Sequence, residues 1–146
     1  MSAKTFDANE ADNLEDIERS FAVIAVEQAE TYWSLLTKMK GSKLRLTKYD
    51  DDIYNKFIEH FPEYKDIERV RKFDEEELKS KIAKERWRKY IALFETIEDY
   101  NFGTLLRTDS TEEYGQHGTI FAVRIQFYAF EIARNRHGLN DWICGK

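Results

Sequence analysis

Residues 119–138 read TIFAVRIQFYAFEIARNRHG. Apolar side chains recur in this segment at steps of three and four residues on two faces, one through Phe127 and the other through Tyr128. The spacing predicts a helix over 119–136 that ends at Gly138. A helix that is apolar on several faces must be buried, so we expect this one to lie at the centre of its domain.

A long helix is predicted over residues 13–40, with Gly41 as its C-cap because glycine adopts a positive φ without steric cost. Its apolar residues fall on two faces, and the sequence leaves open whether the second face belongs to the core or to an interface. The first face contains Ile17, Phe21, Ile24, Tyr32, Leu35 and Met39, and the second contains Ala22, Val26, Ala29 and Trp33.

Two shorter helices are predicted between these segments. One begins at Asp50 or Asp51, whose carboxylate can accept hydrogen bonds from the free N–H groups of the first helical turn, and ends before Pro62. The other begins at Asp74, where Glu77 three residues later completes a pattern that resembles a capping box. Its buried face is expected to contain Ala83, Trp87, Tyr90, Ile91, Phe94 and Ile97.

These segments predict an all-α fold, a compact single-domain bundle of about four main helices, with a glycine-containing loop before the last, central helix. Residues 1–12 are polar and aperiodic, which predicts a disordered N-terminal arm. The single helical domain is placed at 13–140, and residues 141–146 are assigned to a short C-terminal tail.

Composition restricts the classes of function. The chain is 14% aromatic and 35% charged and contains one proline, which favours long helices with charged outer faces over a disordered chain. Its net charge of −5 argues against nucleic acid as a direct, specific partner, because phosphate binding needs a clustered cationic face. Its longest uninterrupted apolar run, 21–26, is far shorter than the roughly 20 residues that span a bilayer.

Two further features of the sequence indicate where the protein acts. The N-terminal residues lack the apolar segment of a signal peptide. The single cysteine, Cys144, cannot form an internal disulfide and suits a reducing compartment. We therefore expect a soluble, cytoplasmic, monomeric protein that does not associate with membranes.

No motif in the sequence predicts catalysis. The three histidines occupy separate regions, and with one cysteine they do not provide the ligands of a structural zinc site. The glycine-rich phosphate loop, the dinucleotide-binding fingerprint and the nucleophile elbow are all missing from the sequence. We therefore predict no catalytic residue, no metal site and no cofactor.

Two polar segments remain as candidates for binding. On the last predicted helix Arg124, Tyr128, Glu131 and Asn135 share one line. In one interpretation Arg124 and Glu131 satisfy each other, or bond to neighbouring backbone groups, at the edge of the core. In the other the line is open and contacts a partner, since arginine and tyrosine dominate binding hot spots. The second segment is the loop at 100–107, whose polar residues a core does not explain.

The basic residues between Lys79 and Lys89 allow two interpretations. They spread around most of a helix and follow acidic residues, which is typical of a solvated face. The other interpretation is that they dock on ribosomal RNA or on an acidic partner.

A resemblance to a known family rests on two segments, YNFGTLLRT at 100–108 and TIFAVRIQFYAFEIARNRHG at 119–138. Both resemble a small eukaryotic family named polysaccharide biosynthesis domain-containing protein. The resemblance covers most of residues 13–140, although the residues that are distinctive of the family are confined to these two segments. It implies an all-helical domain that is not an enzyme, despite the family name.

Relatives in this family are understood to act at the ribosome with the nascent polypeptide-associated complex. The resemblance implies a dedicated chaperone, which binds the nascent GTPase domain of translation elongation factor 1-alpha and holds it until nucleotide-coupled folding is complete. The alternatives are a small enzyme acting on a sugar or nucleotide and a structural subunit of a larger complex. Under the chaperone hypothesis the client-binding residues are predicted to be Tyr100, Asn101, Phe102, Arg107, Arg124, Gln126, Arg134 and Arg136.

Overall fold

The computed structural model describes the backbone of residues 11–146 and the side chains from residue 22 onward. Within that range the chain forms six α-helices and one two-stranded sheet. The elements in chain order are α1 (Ala11–Lys38), α2 (Asp50–His60), α3 (Ile67–Arg71), α4 (Glu76–Lys79), α5 (Lys81–Ile91), β1 (Gly103–Arg107), β2 (Thr119–Val123) and α6 (Arg124–Arg136). Short 3-10 helices cover Gly41–Lys43, Pro62–Lys65, Ala92–Phe94 and Asp141–Ile143.

The prediction of an all-α bundle is wrong, because β1 and β2 form an antiparallel hairpin in which Leu105 lies opposite Phe121. The first five residues of the predicted helix over 119–136 belong to this hairpin. Their side chains alternate, with Ile120 and Ala122 buried and Phe121 exposed, which is the period of a strand. Five residues are too few to separate that period from the helical spacing that continues into α6.

The last helix is central, as predicted, but it begins at Arg124 instead of residue 119. Its first turn is fixed by Gln126, whose Oε1 accepts a hydrogen bond of 3.0 Å from the Val123 N–H. Its end is fixed by Gly138, which adopts a φ of 71°, a conformation that glycine reaches without a Cβ clash. Between these points nearly every side chain of α6 is buried.

The core lies between α2, α5 and α6 and is mainly aromatic. The ring of Phe57 in α2 lies 5.3 Å from that of Phe130 in α6 and 5.9 Å from that of Trp87 in α5, between centroids. Phe61 stacks on Trp87 at 4.2 Å. Since aromatic rings bury large areas, this cluster supplies much of the apolar burial of a small domain.

The two predicted faces of α1 are not the faces that the structure buries. The buried stripe runs through Ala25, Ala29, Tyr32 and Leu36, between the two predicted faces. The reason is that α1 packs along β1, a strand that the sequence analysis did not predict. Of the first predicted face, Ile24, Leu35 and Met39 are about half exposed, and the side chains of Ile17 and Phe21 lie outside the described residues.

Gly41 follows α1 but does not cap it with a positive φ. It is buried, and a Cβ at this position would collide with the side chain of Asn135 and lie 3.2 Å from that of Asn140. The glycine is therefore required by the close approach of its backbone to α6 and the residues that follow it.

The start of α2 also differs from the prediction. Asp50 is the first residue of the helix and is buried. Its carboxylate accepts hydrogen bonds from the N–H groups of Leu46 (2.8 Å) and Thr47 (2.7 Å), which precede the helix. Asp50 therefore anchors the incoming loop and does not cap the first turn.

The predicted helix after Asp74 is split in two. The Asp74 N–H donates to Glu77 Oε2 over 2.9 Å, as the capping pattern predicts. The helix then ends at Ser80, whose backbone is extended. A second helix begins after it, because Ser80 Oγ accepts a hydrogen bond of 3.1 Å from the Ala83 N–H.

Residues 141–146, assigned above to a tail, pack against the domain. Asp141 accepts hydrogen bonds from the Ser42 N–H (2.9 Å) and hydroxyl (2.8 Å), and Ile143 is completely buried. The Gly145 N–H donates to the Thr37 carbonyl of α1 over 2.8 Å. At the other end, α1 begins at Ala11, inside the predicted arm, and residues 1–10 lie outside the described part of the chain.

Candidate functional site

The eight predicted binding residues do not form one surface. Arg107 and Arg134 are completely buried, and Gln126 is buried at the start of α6. Neither arginine is available to a partner in this structure. Of the remaining five, Tyr100, Asn101, Phe102 and Arg124 lie together at the start of α6, and Arg136 lies apart from them at the end of that helix; both of these arginines form ion pairs.

Arg107 and Arg134 belong to a buried charged cluster around Glu131, which is also completely buried. One carboxylate oxygen of Glu131 lies 3.3 Å from Arg107 Nη2, and the other lies 2.8 Å from Arg134 Nη1. The Tyr32 hydroxyl donates to the same carboxylate over 2.8 Å. The predicted pairing of Arg124 with Glu131 is therefore wrong, because Glu131 is held by two other arginines.

The buried cluster ties distant segments of the chain together. Arg134 donates to the carbonyl of Val70 over 2.9 Å and to that of Arg107 over 2.8 Å. Arg107 donates to the carbonyl of Ser110 over 3.1 Å and to the Asn140 side chain over 2.7 Å. The cluster thus connects α3, β1, the loop after β1, α6 and the C-terminal turn.

The charges in the cluster shift the pKa values of its members. Burial by itself raises the pKa of Glu131, but the guanidinium groups of Arg107 and Arg134 outweigh it and lower the pKa to about 2. Burial, together with the negative charge of Glu131, raises the pKa of Tyr32 far above its usual value. Glu131 is therefore ionised and Tyr32 is neutral at physiological pH, which is the state that the hydrogen bonds require.

Arg124 pairs with a residue that the sequence analysis did not consider. Its Nη1 lies 2.8 Å from Asp99 Oδ2, which also accepts a hydrogen bond of 2.9 Å from the Tyr128 hydroxyl. These contacts hold the turn before β1 against the first turns of α6. Arg136 forms an ion pair with Asp51, and its guanidinium lies 4.8 Å from the centre of the Tyr54 ring.

The three aromatic and polar residues of the loop remain at or near the surface. Tyr100 packs partly against the core, whereas Asn101 and Phe102 are exposed. The carbonyl of Tyr100 accepts from the Ile125 N–H, and that of Phe102 from the Arg124 N–H, so the loop backbone is fixed to α6.

Two residues of the basic stretch at 79–89 bond to other segments of the chain. Lys79 Nζ donates to the Phe121 carbonyl at the outer edge of β2 over 2.8 Å, and Arg86 forms two hydrogen bonds with Glu63 of 2.6 and 3.0 Å. The other basic side chains of the stretch, Lys81, Lys84, Arg88 and Lys89, are exposed.

The structure also forms a groove that the sequence analysis did not predict. It has a volume of about 620 Å³ and lies between α1, β1 and the loop that joins β1 to β2. Val26 and Trp33 of α1 form one side, Leu105 lies in β1, and Tyr114 closes the loop side. The only sequence signal for it was the second apolar face of α1, whose role was left open.

The described residues offer little support for other kinds of site. Among residues whose side chains are described, no group of three His, Cys, Asp or Glu is placed to hold a metal ion. None of the helices in the described range combines the length and apolar character needed to cross a membrane.

The chain is similar to proteins of one family. A family model described as PBDC1 protein matches residues 17–145. The PBDC1 homolog of Saccharomyces cerevisiae is 73% identical over 143 residues, which are 97% of this chain and 98% of that protein. The human protein PBDC1 is 48% identical over 126 residues, which are 86% of this chain and 52% of the human protein.

A solved structure has the same fold. It is a solution NMR structure of a protein from Saccharomyces cerevisiae that is 72% identical to this chain, with a TM-score of 0.86. The similarity covers 99% of this chain and 99% of that chain.

Proposed function

Since the chain belongs to the PBDC1 family, the polysaccharide biosynthesis domain-containing proteins that its sequence resembles, we propose that it is a non-enzymatic, client-specific chaperone. Its client is the nascent GTPase domain of translation elongation factor 1-alpha. It binds that domain in the cytoplasm, at the ribosome and together with the nascent polypeptide-associated complex, until nucleotide-coupled folding releases it.

The observation that carries this proposal is the exposed apolar surface of α1 and the hairpin. Phe121 is 54% exposed, and Val23 and Val26 of α1 are exposed to a similar extent. Large apolar side chains grouped on a monomer's surface mark places where other proteins bind. The surface lies beside the groove, so a client can reach both.

The client's folding gives a physical reason for such a surface. A GTPase domain contains a parallel sheet, whose strands pair across long stretches of sequence and therefore form slowly. Until they pair, apolar side chains stay exposed and favour aggregation. A domain that presents an apolar surface covers these side chains, and bound nucleotide then stabilises a folded client that no longer exposes them.

The rigidity of the domain fits this role. The buried cluster around Glu131 ties five segments together beneath the groove, so the surface is formed before the client arrives. A preformed surface loses less conformational entropy on binding than a flexible one.

The enzyme alternative is less well supported by the site. It needs a concave pocket with convergent polar groups near Arg124 or Tyr100. Arg124 is instead paired with Asp99, and the groove, which neither Arg124 nor Tyr100 lines, exposes mainly apolar surface. The third alternative is a structural subunit, which differs from a chaperone because it remains bound to its complex in fixed stoichiometry.

The proposal is tested by capture of nascent chains. Ribosomes carrying the elongation factor GTPase domain are stalled at increasing lengths and incubated with the tagged protein, with an unrelated GTPase domain of equal length as the control. We expect selective capture once the domain has emerged, and release when GTP is added to the completed domain. Equal capture of both domains, or capture that GTP does not reverse, would contradict the proposal.

A further inference from the structure

The groove beside α1 is built on a fixed aromatic wall. The Trp33 ring lies 6.0 Å from the rings of both Tyr114 and Trp142, between centroids. The guanidinium of Arg107 lies 5.6 Å from the ring centres of Trp33 and Tyr114, which places a buried charge behind the wall. Because Arg107 is itself held by the buried cluster, Trp33 and Tyr114 are fixed in position.

Further apolar side chains line the groove. Val26 and Ala29 of α1 face the groove together with Leu105 of β1. Leu105 pairs with Phe121 across the hairpin, and the two side chains lie on the same face of the sheet. The apolar lining therefore continues from Leu105 in the groove onto the exposed ring of Phe121.

The charged side chains of the described residues that line the groove are both acidic. Glu30 of α1 and Glu113 of the loop line the groove, and both are exposed. Among the side chains that the structure describes, from residue 22 onward, the groove lining includes no lysine, arginine or histidine. A ligand that buries apolar side chains here gains Coulomb attraction from cationic groups at its ends and repulsion from anionic ones.

We propose that this groove binds an amphipathic peptide segment whose apolar side chains are flanked by lysine or arginine. This inference rests on the proposed function, in that the segment belongs to the incompletely folded client. The apolar side chains contact Trp33, Val26 and Leu105, and the flanking cations lie near Glu30 and Glu113.

The first test uses synthetic peptides. One probe is a labelled 16-residue amphipathic peptide with leucine on one face and a Lys-Arg pair at each end, and its match carries Glu-Asp pairs instead. By fluorescence polarisation we expect the basic-flanked peptide to bind at least about tenfold more tightly, and the difference to shrink as salt is added. Equal affinities would overturn the proposal.

Matched variants locate the binding site. Val26 is 45% exposed inside the groove and Leu35 is 47% exposed on another face of the same helix. V26S is expected to weaken binding of the basic-flanked peptide about fivefold or more, and L35S to leave it unchanged. Equal losses from the two variants would place the peptide elsewhere.

A second pair of variants tests the charges. The double variant E30K/E113K is expected to weaken binding of the basic-flanked peptide about tenfold. Its control, E85K/E95K, changes the net charge equally at exposed positions away from the groove and is expected to weaken binding less. Equal effects would show that only net charge matters. Light scattering that shows a dimer in wild type but not in V26S would identify a second copy of the chain as the occupant and overturn the proposal.

The client assay separates this inference from the proposed function. If wild type captures the nascent GTPase domain and V26S captures it equally well, the groove is not the client site, although the chaperone role stands. If no variant captures the client and the basic-flanked peptide still binds in a Val26-dependent way, the groove is a peptide site and the chaperone role is wrong.

Discussion

Glu131 has an unusual position for a carboxylate. It lies on the central helix, is completely buried, and contacts two arginines that are buried as well. Removing ions from water is costly, and the cost is offset here by short contacts and by hydrogen bonds to Tyr32 and Asn140. Such a cluster stabilises the fold only while every member is present.

Replacing Glu131 is therefore expected to be strongly destabilising. E131Q keeps the shape of the side chain but leaves the charges of Arg107 and Arg134 buried without a counter-ion, which typically costs about 3–5 kcal/mol. Urea denaturation followed by circular dichroism measures this loss. The control E85Q removes an exposed carboxylate from α5 and is expected to change the free energy of unfolding by less than about 0.5 kcal/mol.

The low pKa of Glu131 also predicts a dependence of stability on pH. The pKa is about 2 in the folded protein and 4.5 for an ordinary glutamate, so the unfolded chain takes up the proton first. The contribution of Glu131 is therefore complete above about pH 5 and is lost as the pH falls towards the folded value. We expect the difference in unfolding free energy between wild type and E131Q to narrow from pH 5 to pH 3, and a constant difference would contradict this account.

At the scale of single elements, local hydrogen bonds decide where helices begin and end. The break between α4 and α5 is the clearest case, since the charged sequence on both sides is compatible with one continuous helix. Ser80 is extended and its hydroxyl accepts the Ala83 N–H, which starts a new helix.

Loss of this cap is expected to destabilise the protein moderately. S80A removes the acceptor for the Ala83 N–H and should lower the free energy of unfolding by about 1 kcal/mol. S34A, at an exposed position inside α1, serves as the control and is expected to be neutral or slightly stabilising because alanine favours helix interiors. Equal effects on the thermal midpoint would show that Ser80 is not a cap.

At the scale of the whole molecule, the C-terminal residues pack against the rest of the domain. Asn140 joins the buried cluster, Asp141 binds Ser42, and Ile143 is completely buried. The last residues therefore pack into the same domain as α1 and α6.

Truncating Ile143 tests whether these residues are part of the domain. I143A is expected to reduce the free energy of unfolding by about 2–5 kcal/mol, because it deletes buried methyl groups and leaves a cavity. The same substitution at Ile82, which is 75% exposed on α5, should cost little. If both variants melt like the wild type, the C-terminal residues do not contribute to the fold.

The local pattern of apolar residues was enough to predict α2, the central position of the last helix and its end at Gly138. These features depend on the spacing of neighbours along the chain, which a sequence displays directly. The family resemblance was likewise readable from two short segments, and it led to the chaperone hypothesis that the groove now makes testable.

Only the tertiary structure determined which segments of the chain pack against each other. Helix α1 packs along β1, and its buried stripe through Ala25 and Ala29 lies between the two predicted faces, because helical periodicity cannot identify the face that a strand will cover. Arg107 and Arg134 were predicted to bind a partner because a sequence does not show burial. In the fold both arginines are buried and form ion pairs with Glu131. The groove at Trp33 has the same origin, since its sides come from residues far apart in the chain that only packing brings together.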